Sequence, residues 1–179
     1  MDNRIRLRAL TKDDLEKTLS WHNQKEIREL YLGHPFPINK EMEELWYQKV
    51  LTSNYPVSVF GIEKLNEKEL IGITILKDIN YINRIAEFAV YVGDDKFRGK
   101  GFAKEATIET LKFAFFELGL NRVYLKVLEI NKVALHLYER IGFRQEGMLK
   151  EAVFKNNSFA NEIIMAILKK EFELRYGQL

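Results

Sequence analysis

The stretch Ala86–Ala106, AEFAVYVGDDKFRGKGFAKEA, decides how this chain folds. Ala86–Val92 is a run of apolar and β-favouring residues, closed by the turn formers Gly93, Asp94 and Asp95. Arg98-Gly99-Lys100-Gly101-Phe102-Ala103 follows, and a helical pattern then runs through Ala106, Ile108, Leu111, Phe115 and Leu118. Strand, glycine-punctuated loop and helix therefore succeed one another. The first N–H groups of a helix lack intrahelical partners, and the helix dipole adds partial positive charge there. Gly99 and Gly101 leave those amides uncovered, and Arg98, Lys100 and Lys104 add charge nearby. The loop reads as a seat for a pyrophosphate.

Three glycine-loop patterns compete for it. A P-loop needs glycine, four residues and then Gly-Lys-Ser/Thr, but Gly93 lies one residue too far away and Gly101 replaces the hydroxyl. The dinucleotide fingerprint needs a third small residue where Lys104 stands. Arg/Gln-x-x-Gly-x-Gly/Ala is met by Arg98, Gly101 and Ala103. That is the coenzyme A pyrophosphate signature of the GNAT superfamily of N-acetyltransferases, which this chain resembles. A second stretch, Asn131–Phe143, resembles that family's other signature, Asn-x-x-Ala-x-x-x-Tyr-x-x-x-Gly-Phe, at Asn131, Ala134, Tyr138, Gly142 and Phe143. One helix and one strand separate the two signatures, as the resemblance requires.

Outward from this centre, Ile5 and Leu7 alternate with arginines as a half-buried first strand. Thr11 caps a helix through Leu15 and Leu19, and a second amphipathic piece covers about Gln24–Leu30. Gly33-His34-Pro35-Phe36-Pro37 breaks it. Asn39 caps Lys40–Leu51, with Met42, Leu45, Trp46 and Val50 expected on the apolar side. Pro56–Ile62 and Leu70–Leu76 form a hairpin, and a third antiparallel strand covers Arg84–Val92. Arg122–Leu128 is a strand, Asn131–Ile141 a helix, and Phe143–Phe154 with Phe159–Leu168 a closing hairpin. The charged tail Lys169–Leu179 is expected to fray. One α+β domain, 1–179, follows. The resemblance implies the GNAT (acyl-CoA N-acyltransferase) fold, a central mixed, mostly antiparallel sheet flanked by helices.

A chain of 179 residues with 46% hydrophobic content can bury a full core. Its net charge of +2, from 28 basic and 26 acidic residues, leaves neither a nucleic-acid footprint nor a polybasic membrane patch. With no cysteine, disulfides, thiolate metal sites and a cysteine nucleophile are excluded. Three scattered histidines, His22, His34 and His136, make no metal cluster, and no metal is expected. The polar N-terminus lacks a signal-peptide core, and no apolar run approaches the ~20 residues of a membrane helix. A cytoplasmic protein is expected.

The resemblance implies acetyl-CoA as cosubstrate and direct attack by an amine. It places Tyr138 as the acid beside the coenzyme sulfur, against the plainer reading of a core tyrosine on a short helix. Glu87, a carboxylate inside an apolar strand, is the candidate base, unless it faces solvent on the strand's other side. Asn131 is expected at the pantetheine, or as a helix N-cap, or both, with Ala134 beside it. The backbone of Tyr91 and Val92 is expected to pair with the pantetheine amides, and an N–H near Val92 to serve the oxyanion. Arg98, Gly99, Lys100, Gly101, Phe102, Ala103 and Lys104 are expected at the pyrophosphate. The histidines read as structural or solvated. Trp21, Trp46, Tyr31 and Phe36 read as acceptor-pocket walls or as core.

Two branches of the family are nearest in pattern, the ribosomal-protein N-terminal and the spermidine/spermine N-acetyltransferases. Both share Arg6-Leu7-Arg8-Ala9-Leu10 and Glu146-Gly147-Met148-Leu149-Lys150-Glu151. Gly33-His34 stands where the polyamine branch tends to carry glutamates, although Glu26, Glu29, Glu41, Glu43 and Glu44 lie nearby. A protein N-terminal amine is the expected acceptor, with a polyamine, amino sugar or antibiotic amine as the alternative. A coenzyme-binding module without turnover would need neither Tyr138 nor Glu87. Family members often form homodimers, for which the C-terminal hairpin is a plausible place.

Overall fold

The computed structural model describes residues 4–31, 36–52 and 57–177. Seven strands form one sheet in the order β1-β2-β3-β4-β5-β7-β6. They are β1 (Ile5–Ala9), β2 (Ser58–Lys64), β3 (Glu69–Asn80), β4 (Ile85–Val92), β5 (Arg122–Leu128), β6 (Arg144–Lys155) and β7 (Ser158–Leu168). Every neighbouring pair is antiparallel except β4 and β5. The crossover between those two is α4 (Phe102–Lys112) with a π turn at Phe113–Glu117, as a parallel pair demands. The remaining helices are α1 (Leu15–His22), α2 (Lys25–Leu30), α3 (Lys40–Thr52), α5 (Lys132–Ile141) and α6 (Lys169–Tyr176).

Alternation along β3 and β4 sends side chains to two faces. Leu76, Ala86 and Phe88 join Leu111, Phe115, Ile141 and Phe172 in a core under α4, α5 and α6. Ile73 and Tyr91 pack instead with Leu10, Trp21 and Ile27 under α1 and α2, where Tyr31 and Trp46 also contact them. Thr74 and Thr110, both buried, satisfy one another across β3 and α4 at 2.9 Å.

Two expectations are corrected. The described part of the charged tail does not fray but forms α6, Lys169–Tyr176. Phe172 is fully buried against Phe115 and Phe116, Tyr176 stacks 4.8 Å from it, and the Glu171 carboxylate accepts the Leu168 N–H. Two aromatics at i and i+4 anchor an otherwise charged helix, a signal too sparse for composition to show. In α3, Leu45 is 62% exposed and the buried residue is Glu43. Its carboxylate accepts from the Thr18 hydroxyl and lies 2.8 Å from His22 Nδ1, which satisfies a charge that apolar periodicity would have left outside. As expected, Asn39 caps α3 by accepting the Met42 N–H.

Candidate active site

β4 and β5 pair only where Ile85–Glu87 meets Arg122–Tyr124. Beyond Glu87 the strands part, and among the described residues no strand pairs with the β5-facing edge of β4 from Phe88 to Val92. Such an edge can take a chain of amides as an added strand. A groove of about 630 Å³ follows it, bounded by Val90, Tyr91 and Val92, by Asn131, Ala134 and Tyr138 of α5, and by Gly99, Gly101 and Ala103 at the start of α4. Gly99 and Gly101 have φ of +70° and +87°, a left-handed backbone that glycine adopts at no steric cost. A Cβ at Gly99 would meet no atom within 4 Å, so that side of the loop is open. The open amides, the α4 N-terminus and the free strand edge fit a pyrophosphate joined to a pantetheine arm.

The loop's charges are arranged differently from the sequence expectation. Lys104 and Arg98 both line the groove. Arg98 turns back: its Nε donates to Val92 O (3.0 Å), its Nη2 to Gly93 O and Gln24 Oε1 (2.7 Å each), and it pairs with Asp95. It clamps the end of β4, and its charge is engaged. Lys100 is not among the groove residues; its carbonyl accepts from Arg4. Phe102 is buried against Phe97 at the groove's border. Arg140, which sequence reading passed over, lines the groove from α5 with Val133, His136 and Leu137. The spacing 133, 137, 140 marks one helical face and was the available signal.

Replacing Gly101 by valine tests the seat. A β-branched side chain at φ +87° is strained, and its Cβ would crowd Arg4 Nη2 at 3.3 Å. Coenzyme A binding by calorimetry is expected to weaken about tenfold or more, since a penalty of about 1.4 kcal/mol is one decade. Unchanged affinity would remove Gly101 from the seat.

Where β4 and β5 fork, Glu87 and Tyr138 border one cleft, which shares Tyr31, Val90 and Tyr138 with the groove. The solvent-facing alternative for Glu87 is overturned. It is 8% exposed, on the α1–α2 side of the sheet, opposite Lys77, whose Nζ lies 2.9 Å from its carboxylate. Burial, and then the Glu87 charge, raise the pKa values of Tyr31 and Tyr124. Tyr138 is buried beside Phe88 and Phe143, and no described residue hydrogen-bonds its hydroxyl. Burial, with Tyr31 as a lesser cause, holds its phenol well above the usual value near 10. It stays a donor at neutral pH. Asn131 accepts the Ala134 N–H at 3.1 Å, so the N-cap is formed, and its side chain also borders groove and cleft.

Of the four aromatics named as pocket walls, Trp21 is fully buried behind Gly93, whereas Tyr31, Phe36 and Trp46 line a cavity beside the cleft. Glu43 is no surface acid: it is buried, lines that cavity and is engaged by Thr18 and His22. Leu32, Gly33, His34 and Pro35 lie outside the described residues.

Comparison with known proteins identifies the family. Residues 4–144 match the family model of the acetyltransferase (GNAT) domain. A spermidine N(1)-acetyltransferase of Vibrio cholerae is 36% identical over 172 residues, covering 96% of this chain and 97% of that protein. The Escherichia coli K12 spermidine N(1)-acetyltransferase is 28% identical over 168 residues, 94% of this chain and 88% of that one. The crystal structure of the Vibrio cholerae spermidine N-acetyltransferase in complex with CoA and spermine superposes with a TM-score of 0.88 at 34% identity, covering 94% and 98% of the two chains. These likenesses favour the small-amine alternative over the protein N-terminus expected from sequence. Family match and shared fold show that the chain belongs to the GNAT acetyltransferase family, using acetyl-CoA to acetylate an amine.

Proposed function

We propose that the acceptor is a small polyamine of the spermidine type, that Glu87 takes its proton and that Tyr138 protonates the departing thiolate. The observation that carries the acceptor is end-to-end likeness to spermidine N-acetyltransferases. Support for the residue roles is local: a carboxylate and an unengaged phenol border the same cleft, at the fork where the coenzyme groove begins.

The chemistry is direct transfer. The neutral amine attacks the thioester carbonyl and forms the new C–N bond; collapse of the tetrahedral species breaks the C–S bond. Glu87 takes one proton from the arriving ammonium before the attack; on collapse Tyr138 gives its proton to sulfur, and the second nitrogen proton returns to the Tyr138 oxygen. Tyr31 and the neighbouring apolar walls exclude bulk water, which strengthens both interactions. Lys77 must loosen its hold on Glu87 before the carboxylate can accept, so an incoming ammonium that competes for Glu87 would free it.

Thiol release from acetyl-CoA tests the acceptor, with spermidine, spermine, peptides bearing free Ser or Ala N-termini, an amino sugar and an aminoglycoside. Polyamine turnover at the highest kcat/KM is expected; a peptide preference would overturn the proposal. Glu87→Gln is expected to lower kcat about 10²-fold near neutral pH. The loss should shrink as pH rises, because bulk deprotonation of the amine then replaces the base. A pH-independent loss would remove Glu87 from the base role.

A further inference from the structure

Beside the cleft, on the α1–α3 side of the sheet, lies a second cavity of about 290 Å³. Its body is apolar and aromatic, built from Ile27, Tyr31, Trp46, Ile73, Ile75 and Tyr91. Three charged or titratable side chains also line it: Glu43, His22 and Arg28. The first two are engaged. Glu43 is fully buried, with one oxygen on the Thr18 hydroxyl and the other on His22 Nδ1, and His22 Nε2 lies 3.0 Å from the Tyr91 hydroxyl. Carboxylate, imidazole and phenol form a closed chain.

Arg28 is different. Its Nε is buried without a hydrogen-bond partner, and no described carboxylate pairs with its guanidinium. A buried charged donor left unpaired is costly, and native structures rarely keep one without a use. Lys155 does not line the cavity; it donates to the carbonyls of Arg28 and Tyr31 from outside it and leaves the guanidinium without an acceptor. The cavity thus combines apolar walls, a carboxylate already partnered and a cationic end short of an acceptor.

We propose that this cavity is a second small-molecule site, for an apolar, ring-bearing monocarboxylate. The carboxylate meets the Arg28 guanidinium after a small rotation of that side chain, and the ring packs among Trp46, Tyr31, Ile73 and Ile75. A guanidinium matches a carboxylate with two parallel N–H donors, which a neutral or cationic group cannot exploit. A polyamine finds the opposite of what it needs, a like charge at one end and a carboxylate occupied by Thr18 and His22. The site therefore takes a different molecule from the proposed acceptor. Because Tyr31 is shared with the cleft and Tyr91 with the coenzyme groove, its occupant abuts the transfer machinery.

Calorimetric titration of the full chain tests this without reading acetyl transfer, so its failure and that of the polyamine reading are separate. The probes are 3-phenylpropionate and its isosteric cation, 3-phenylpropylamine. Saturable one-to-one binding of the carboxylate is expected, at least about tenfold tighter than the amine. Arg28→Met should weaken it at least about tenfold and Trp46→Ala should also weaken it, while coenzyme A still binds and reports an intact fold. Should Arg28→Met lose coenzyme binding, Arg28→Lys serves instead; it keeps the charge without the fork, and a several-fold weakening is expected. No saturable binding of the carboxylate, equal or tighter binding of the amine, or unaltered binding by the folded Arg28 variant would each overturn the proposal.

Discussion

Tyr138→Phe is expected to lower kcat by about 10²–10⁴-fold while leaving the affinity for coenzyme A within about twofold. The substitution removes one oxygen from a ring whose packing against Phe88 and Phe143 is retained. No described residue hydrogen-bonds that hydroxyl, so its loss leaves no buried partner unsatisfied and little stability is at stake. The effect should fall on kcat, since in the proposed mechanism the phenol acts on the departing sulfur and not on the ground state. Its pKa adds a sign. Burial, and secondarily Tyr31, displace Tyr138 upward, so the acid stays protonated through and beyond the ordinary phenol range. Below pH about 10, the kcat profile should show no descending limb from this group. A limb between pH 8 and 9 that the phenylalanine variant abolishes would contradict this. Equal turnover by the variant would assign the proton to another donor.

Gly93→Ala is expected to destabilise the protein by about 3 kcal/mol or more and to weaken coenzyme binding with it. A Cβ there would stand 1.9–2.4 Å from atoms of the Trp21 indole. That ring cannot give way: it is fully buried, packs edge-on to Tyr91 and donates from Nε1 to Asp94. The end of β4 must move instead, and with it the Gly93 carbonyl that Arg98 holds at 2.7 Å. A denaturation midpoint lower by about 6–12 °C follows for a chain of this length. Gly147→Ala is the control, because a Cβ there meets nothing within 4 Å and should leave the midpoint unchanged. A Gly93→Ala protein as stable as the parent would mean that α1 and β4 are not locked together.

The order of elements was legible because local chemistry wrote it. Period-2 runs marked the strands, and Arg122–Leu128 coincides with β5. Glycine and asparagine marked the ends of α4 and α5, and two spaced signatures located the groove. Their agreement reflects short-range causes: left-handed φ at Gly99 and Gly101, and a side-chain cap at Asn131. What the sequence left open lies at long range. Whether Glu87 faces solvent or cleft depends on the parity of β4 in the sheet and on where β4 and β5 separate. The turning of Arg98 onto Val92 and Gly93 closes a bend of seven residues, but its contact with Gln24 comes from 74 positions away.

The inward placement of Glu43 needed Thr18 and His22 from another helix, contacts that no periodicity along α3 encodes. Phe172 found its place only because the π turn after α4 presents Phe115 and Phe116 to it. By itself the sequence determined the family, the coenzyme and the left-handed loop before α4, because those rest on backbone conformations that neighbouring residues impose. Only the tertiary structure decided which charges are free and which are engaged, because a charge is settled by its partners, and here those come from distant parts of the chain.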